Sequence, residues 1–224
     1  MDMDSWTYTL RQIDMSENLE HLVYKLEKNS VDIKALSEKV EKTIGDKEED
    51  CDIKDIFQIK NPVLEHAFHK KLKEVERRHR TFSMLFHGTS GEAIDSIIKN
   101  GFDLNATPSD MVGGEMRSKK AVHGNGIYLT SYSSTALDYG NNTFIICCKV
   151  FLGNCQDIHY LDSNVSQDIS YYFDSRRVRR KSDEVFVVKD AGHVLPQYVI
   201  TFDTPSLIST EKRNLSKIIG MCNI

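Results

Sequence analysis

Two glycine-flanked strand ends hold the residues best suited to chemistry in this chain. The first is Met84-Leu85-Phe86-His87-Gly88-Thr89-Ser90. The second is Gly124-Asn125-Gly126-Ile127-Tyr128-Leu129-Thr130, followed by Ser133, Ser134 and Tyr139. In each, polar residues close an apolar run beside glycine, where backbone approaches a ligand closely. His87 in that setting suits a general base, a metal ligand, a ligand clamp or a satisfied structural histidine. Tyr128 and Tyr139 suit either a stacking pair or core aromatics. Which of these applies depends on the elements that hold them.

Ser83–Phe86 reads as a strand ending in the His87-Gly88-Thr89 turn. A helix follows, capped by Ser90, striped by Ile94, Ile97 and Ile98, and closed by Gly101. Residues 103–123 show no periodicity, and a gap of that size inside a compact domain points to a functional loop or lid. Ile127–Leu129 reads as a strand, and a short helix runs through Ala136 and Tyr139. Residues 143–152, 183–189 and Tyr198–Phe202 read as further strands, with Pro196 keeping the last one short or starting it at an edge. Upstream, Asp52–Ile59 alternates as a first strand, and Pro62 opens a helix through Leu64, Phe68, Leu72 and Val75.

Residues 1–50 read as helical and acidic. Leu19, Leu22, Val23 and Leu26 follow an N-cap at Ser16, and Ile33, Leu36, Val40 and Ile44 stripe a second helix ended by Gly45. The charged run Asp46-Lys47-Glu48-Glu49-Asp50 marks a linker. The organisation expected is a helical lobe over 1–50, a main domain over 51–205 and a tail over 206–224. The fold class is α+β with mostly antiparallel sheets.

The 224 residues, 40% hydrophobic, suffice for one good core. A net charge of −4 excludes a general nucleic-acid coat, which needs a basic footprint. No apolar run reaches the roughly 18 residues of a membrane span, and the N-terminus lacks the basic region of a signal peptide. Five cysteines, an odd count with Cys147 and Cys148 adjacent in an apolar strand, fit a reduced intracellular protein, cytoplasmic or nuclear rather than secreted. A zinc site from Cys148, Cys155 and His159 is disfavoured, because no paired Cys-x-x-Cys knuckle completes it. No metal is expected.

Taken in order, the motifs resemble the catalytic domain of the poly(ADP-ribose) polymerase family, whose members are ADP-ribosyltransferases acting on NAD. The sequence runs from a strand ending His-Gly-Thr, through a capped helix ending in glycine and a long loop, to Gly-x-Gly-Ile-Tyr-Leu-Thr and then Ser-Ser-x-x-x-x-Tyr. The likeness covers about residues 52–203 and is closest to mono-ADP-ribosylating members. It implies an ADP-ribosyltransferase-like fold of split antiparallel sheets behind a small N-terminal helical lobe. It also implies NAD as co-substrate, with His87 on the adenosine ribose, Gly88 and Thr89 beside the carboxamide, and Tyr128 and Tyr139 sandwiching the nicotinamide. Ser134 matches the first serine of a Ser-x-Ser pair that binds the carboxamide, and Ala136 replaces the second. Thr135 compensates only if the register shifts. The loop 103–123 would cover the rest of the NAD.

In polymer-forming members, a glutamate at the start of a late strand stabilises the developing cation and activates the next sugar hydroxyl. Reading back without gaps from Leu195-Pro196-Gln197-Tyr198, that position falls on Val185. Glu184 takes it only through a bulge or a one-residue gap in Asp190–His193, because a one-residue slip turns a strand side chain to the opposite face. With Val185 there, the resemblance implies single transfer onto acceptor proteins, the chain itself included. A non-catalytic module of the same fold, acting through protein contacts, is the alternative, and an elongating enzyme returns if Glu184 faces the site. The run Arg176-Arg177-Val178-Arg179-Arg180-Lys181 reads as a basic loop, either simply solvated or drawing acidic acceptors or nucleic-acid phosphates. A monomer without a membrane span is expected.

Overall fold

The computed structural model describes residues 22–27, 31–45, 52–76, 79–89, 91–104, 123–140, 143–162 and 168–203. The caps expected at Ser16 and Ser90, the 46–50 linker, residues 105–122 of the long loop and the tail after Asp203 lie outside the described residues.

Nine strands, β1 Val23–Lys25, β2 Asp52–Ile59, β3 Phe82–His87, β4 Ile127–Thr130, β5 Phe144–Phe151, β6 Cys155–His159, β7 Ser175–Arg179, β8 Glu184–Val188 and β9 Val194–Asp203, form one sheet. Their order is β1-β2-β9-β5-β3-β4-β8-β7-β6. Every pairing is antiparallel except β6 with β7. The two halves of the sheet meet at β3 and β4 through a single registered pair, Phe86 opposite Thr130. Beyond that pair β3 stays on β5, while β4 leaves with β8. The sheet is therefore split where the glycine-flanked strand ends meet.

Four α-helices, α1 Val31–Ile44, α2 Pro62–Glu74, α3 Gly91–Asn100 and α4 Ser133–Tyr139, and a 3-10 turn at Ala191–His193 accompany the sheet among the described residues. The apolar run Phe144-Ile145-Ile146-Cys147-Cys148 makes β5 a strand buried on both faces, with helices on either side. On one face, Ile94, Ile97 and Ile98 of α3 pack on Leu85, Leu129, Ile146 and Phe186. On the other, Leu36, Val40 and Ile44 of α1 join Ala136 and Leu137 of α4 over Phe86, Ile145 and Ile200. Asn61 caps α2 by accepting from the Val63 and Leu64 amides at 3.1 and 3.2 Å. Its Nδ2 donates to the Ile98 and Lys99 carbonyls, joining the start of α2 to the end of α3.

Three expectations change. Val23–Lys25 is a strand and not part of a helix. Val23 is buried, and Leu22 and Leu26 complete the backbone bonds to Lys60 and Ile56 on the open edge of β2. The Leu22-Val23…Leu26 spacing fits a helix equally well, and pairing to that edge decides the outcome. The last strand begins at Val194 and not at Tyr198, although its first residues, Pro196 included, pair with β5 alone and so start at an edge, one of the two outcomes expected. The register also shifts between Cys147 and Cys148 opposite Pro196, and an edge or a bulge is where a strand tolerates proline. Third, much of the basic run is strand β7 and not a loop. Its partner β6 has no strong periodicity, which hid the pair.

Candidate active site

The site is built where β3 ends against α4. Ideal Cβ geometry at Gly88 would put that atom 1.9 Å from the Ala136 carbonyl oxygen and 2.7 Å from Tyr139 Cβ. The backbone of the His-Gly-Thr turn thus lies directly on the helix that carries Tyr139, and only glycine permits the contact. Tyr139 itself is 46% exposed at the end of α4. Thr89, next after Gly88, is half-buried. Ala136 is buried against Phe86 and Leu137. Its missing hydroxyl is not restored by Thr135, whose Oγ1 donates to Asp183 Oδ2 at 3.1 Å. Ser134 is half-buried on the same helix.

α4 is also held from the N-terminal side. Ser133, fully buried, shares a 2.9 Å hydroxyl contact with Thr43 of α1 and donates to the Val40 carbonyl. Its amide donates to Thr43 Oγ1. The helix with Tyr139 is therefore fastened to α1, which the sequence reading assigned to the N-terminal helical lobe.

His87 reaches across the split. Its Nδ1 lies 2.8 Å from the Tyr128 carbonyl oxygen, and its ring meets Phe102 edge-on. A carbonyl only accepts, so Nδ1 carries the proton. Burial pushes the pKa of His87 below the ordinary 6.5, which keeps Nε2 an unprotonated acceptor at neutral pH. Tyr128 donates its hydroxyl to the Gly124 carbonyl at 2.7 Å and accepts from the His123 amide at 3.1 Å. Burial raises its pKa, against the opposing pull of the His123 amide and of the Arg176 and Arg180 charges.

On β8, Val185 packs with Val178, Val187 and Ile169, and Tyr128 lies against this cluster. The register explains this, since Thr130 faces Val185 and Tyr128 faces Val187. Glu184 points to the other face, where it is bonded to Arg177. The structure thus sets Gly88 on Ala136 and Tyr139, His87 on the Tyr128 carbonyl and Tyr128 against the Val185 cluster, and leaves Glu184 on the other face of β8.

Sequence reasoning missed the polar layer behind Tyr128. Arg176, 2% exposed, donates to the His123 carbonyl at 2.8 Å, to Gln156 Oε1 at 3.0 Å and to the Asp168 carbonyl at 3.2 Å. Arg180 Nη2 lies 3.1 Å from His123 Nε2, which must therefore accept. The available signal was alternation: in a strand, Arg176 and Val178 point to one face and Arg177 and Arg179 to the other. The zinc reading finds Cys148 fully buried in β5, with burial raising its thiol pKa well above the ordinary value.

Three histidines, His87, His123 and His193, are held neutral, each with burial as the main cause of a lowered pKa. The unfolded chain takes up these protons first as pH falls through 6.5, the ordinary value. Stability is expected to be full above that value and to fall progressively below it. Urea midpoints at about pH 7.5 and about pH 5.5 check this, and the acid midpoint should be the lower.

The split sheet, with a histidine strand end set against a tyrosine-bearing helix, is an α+β fold of the ADP-ribosyltransferase type. Residues 30–199 match the poly(ADP-ribose) polymerase catalytic domain, and the chain belongs to that family. Domains of this family use NAD as co-substrate in ADP-ribosyl transfer. A human relative, "Protein mono-ADP-ribosyltransferase PARP4", is 27% identical over 134 residues, which is 54% of this chain and 8% of that protein. The chain spans a small fraction of the relative's length. No described helix is long and apolar enough to cross a membrane.

Proposed function

We propose that this chain is an NAD-dependent mono-ADP-ribosyltransferase, its catalytic unit over residues 51–205, that releases nicotinamide and places single ADP-ribose units on protein side chains. The observation that carries the reading is that Val185 belongs to the apolar cluster against which Tyr128 packs, with Glu184 turned away to Arg177. Elongation calls for a base at that point of β8 to activate a sugar hydroxyl, and an aliphatic side chain offers none.

The residues suit the dinucleotide. His87 Nε2, kept as an acceptor, takes a hydrogen bond from the adenosine ribose hydroxyl. The Gly88 backbone and Ser134 serve the carboxamide, and Tyr128 and Tyr139 flank the nicotinamide ring. Aromatic stacking of this kind contributes about 0.5–1.5 kcal/mol per pair beyond buried area. The chemistry asks for orientation more than for covalent work, because nicotinamide leaves as a neutral base and the ribose becomes oxocarbenium-like. Acceptors bearing a carboxylate need no activation, which favours acidic side chains, on other proteins or on the chain itself.

Incubation of the chain with labelled NAD and a protein mixture tests this. Label is expected as single units, resistant to growth with time, and unchanged in amount for Glu184→Gln. Polymer that disappears in Glu184→Gln would show an elongating enzyme. NAD bound but left intact would point to the binding module.

A further inference from the structure

The face of β8 that carries Val185 also carries the residue two positions before it, just ahead of the strand. That residue is Asp183, with a side chain only 13% exposed. Its Oδ2 accepts from Thr135 Oγ1 at 3.1 Å and lies 3.8 Å from Arg180 Nη1. Thr135 stands one helical turn before Tyr139, so both share a face of α4. Arg180 reaches His123 Nε2 at 3.1 Å, and the His123 amide donates to the Tyr128 hydroxyl. A chain of contacts therefore runs Thr135, Asp183, Arg180, His123, Tyr128, with Tyr139 one helical turn beyond Thr135.

We propose that Asp183 supplies the carboxylate for the reacting ribose in this chain, a role that rests on the transferase reading above. Both contacts of its carboxylate fall on Oδ2, and Oδ1 is the oxygen assigned to a hydroxyl of the nicotinamide ribose. As the bond from the anomeric carbon to nicotinamide breaks, its electron pair leaves on the nicotinamide nitrogen and positive charge develops on the ribose. The acceptor oxygen then bonds to that carbon, and a carboxylate acceptor releases no proton. A fixed negative charge beside the cation lowers the barrier most in a half-buried site, where water screens least. Arg180 offsets part of that charge. Its 3.8 Å approach exceeds hydrogen-bond length, so the carboxylate keeps its acceptor capacity. Asp183 starts one pleat earlier than the family's glutamate position, about 7 Å along the strand. That placement suits a charge that stabilises the donor better than a base that activates a second sugar.

The test uses the full chain with NAD, following nicotinamide release by rate and NAD affinity by calorimetry. Asp183→Asn keeps the shape and an oxygen for Thr135 while removing the charge. It is expected to change the NAD Kd less than about threefold and to slow nicotinamide release on the order of a hundredfold. Asp183→Glu should recover about tenfold of that loss. Thr135→Val removes the hydrogen bond but keeps the charge, and should slow release less than Asp183→Asn does. Asp183→Asn releasing nicotinamide at the wild-type rate overturns the proposal alone. So does a loss of rate fully matched by lost NAD affinity, which would mark a structural role. A wild-type chain that binds NAD and releases no nicotinamide overturns the transferase reading and this proposal with it.

Discussion

Gly88→Ala is expected to destabilise the protein by about 2–4 kcal/mol and to abolish NAD binding in whatever remains folded. The reason is steric and local. The added Cβ would fall 1.9 Å from the Ala136 carbonyl oxygen, 2.7 Å from Tyr139 Cβ and 2.9 Å from the Ala136 carbonyl carbon. Two of these are backbone atoms of α4, so no rotamer change relieves the clash. The helix must move, yet Ser133 is held by Thr43 and Val40 at its first turn and Thr135 by Asp183 further along. Strain therefore concentrates at the Tyr139 end, where the ring is meant to sit. The melting temperature should drop by roughly 5–10 °C. A melt within a degree or two of wild type would mean that the turn and the helix are not in contact.

Arg176→Ala is expected to cost about 3–5 kcal/mol. The guanidinium is buried and binds the His123 and Asp168 carbonyls and the Gln156 amide oxygen, so its removal strands three acceptors and opens a void. The damage reaches the site through His123, because the adjacent Gly124 carbonyl accepts from the Tyr128 hydroxyl. Denaturant unfolding should show a large fall in midpoint with little change in slope. Arg176→Lys should recover only part of the loss, because an ammonium cannot span three acceptors in a planar fork. By contrast, the exposed Arg179–Asp157 pair, with both side chains about half-exposed, belongs to the class of surface ion pairs that contribute at most about 1 kcal/mol.

Much of the fold was legible because the long elements carry strong local signals. Asn61-Pro62 starts α2 as expected, Gly45 and Gly101 follow the ends of α1 and α3, and the apolar run of β5 forms the central buried strand. The failures share a cause: each turned on a partner distant in sequence. Val23–Lys25 is a strand because β2 has an open edge to offer. β9 extends back through Pro196 to Val194 because β5 pairs with it there and changes register opposite the proline. Arg176 is an interior residue because β6 runs parallel beside β7 and places Gln156 within reach. Local composition called that run basic and solvated, and burial of a single arginine leaves no trace in composition.

At the site, motif order pointed to His87-Gly88 beside the two tyrosines, and the gapless reading put Val185, with Glu184 as the alternative, at the family's glutamate position. One residue of register decides which of the two shares a face of the sheet with Tyr128, and Thr130 opposite Val185, with Tyr128 opposite Val187, puts Val185 there. Asp183 escaped notice. Its relevance appears only when α4 lies over the start of β8 and Thr135 binds it.

The most direct test of the central claim is calorimetric titration of the folded chain with NAD, repeated in the presence of free nicotinamide. If His87, Gly88, Tyr128 and Tyr139 form a nicotinamide clamp, NAD binds at one site and nicotinamide lowers its apparent affinity by competition. A folded chain that gives no binding heat with either ligand, or NAD binding that nicotinamide leaves unchanged, would contradict it.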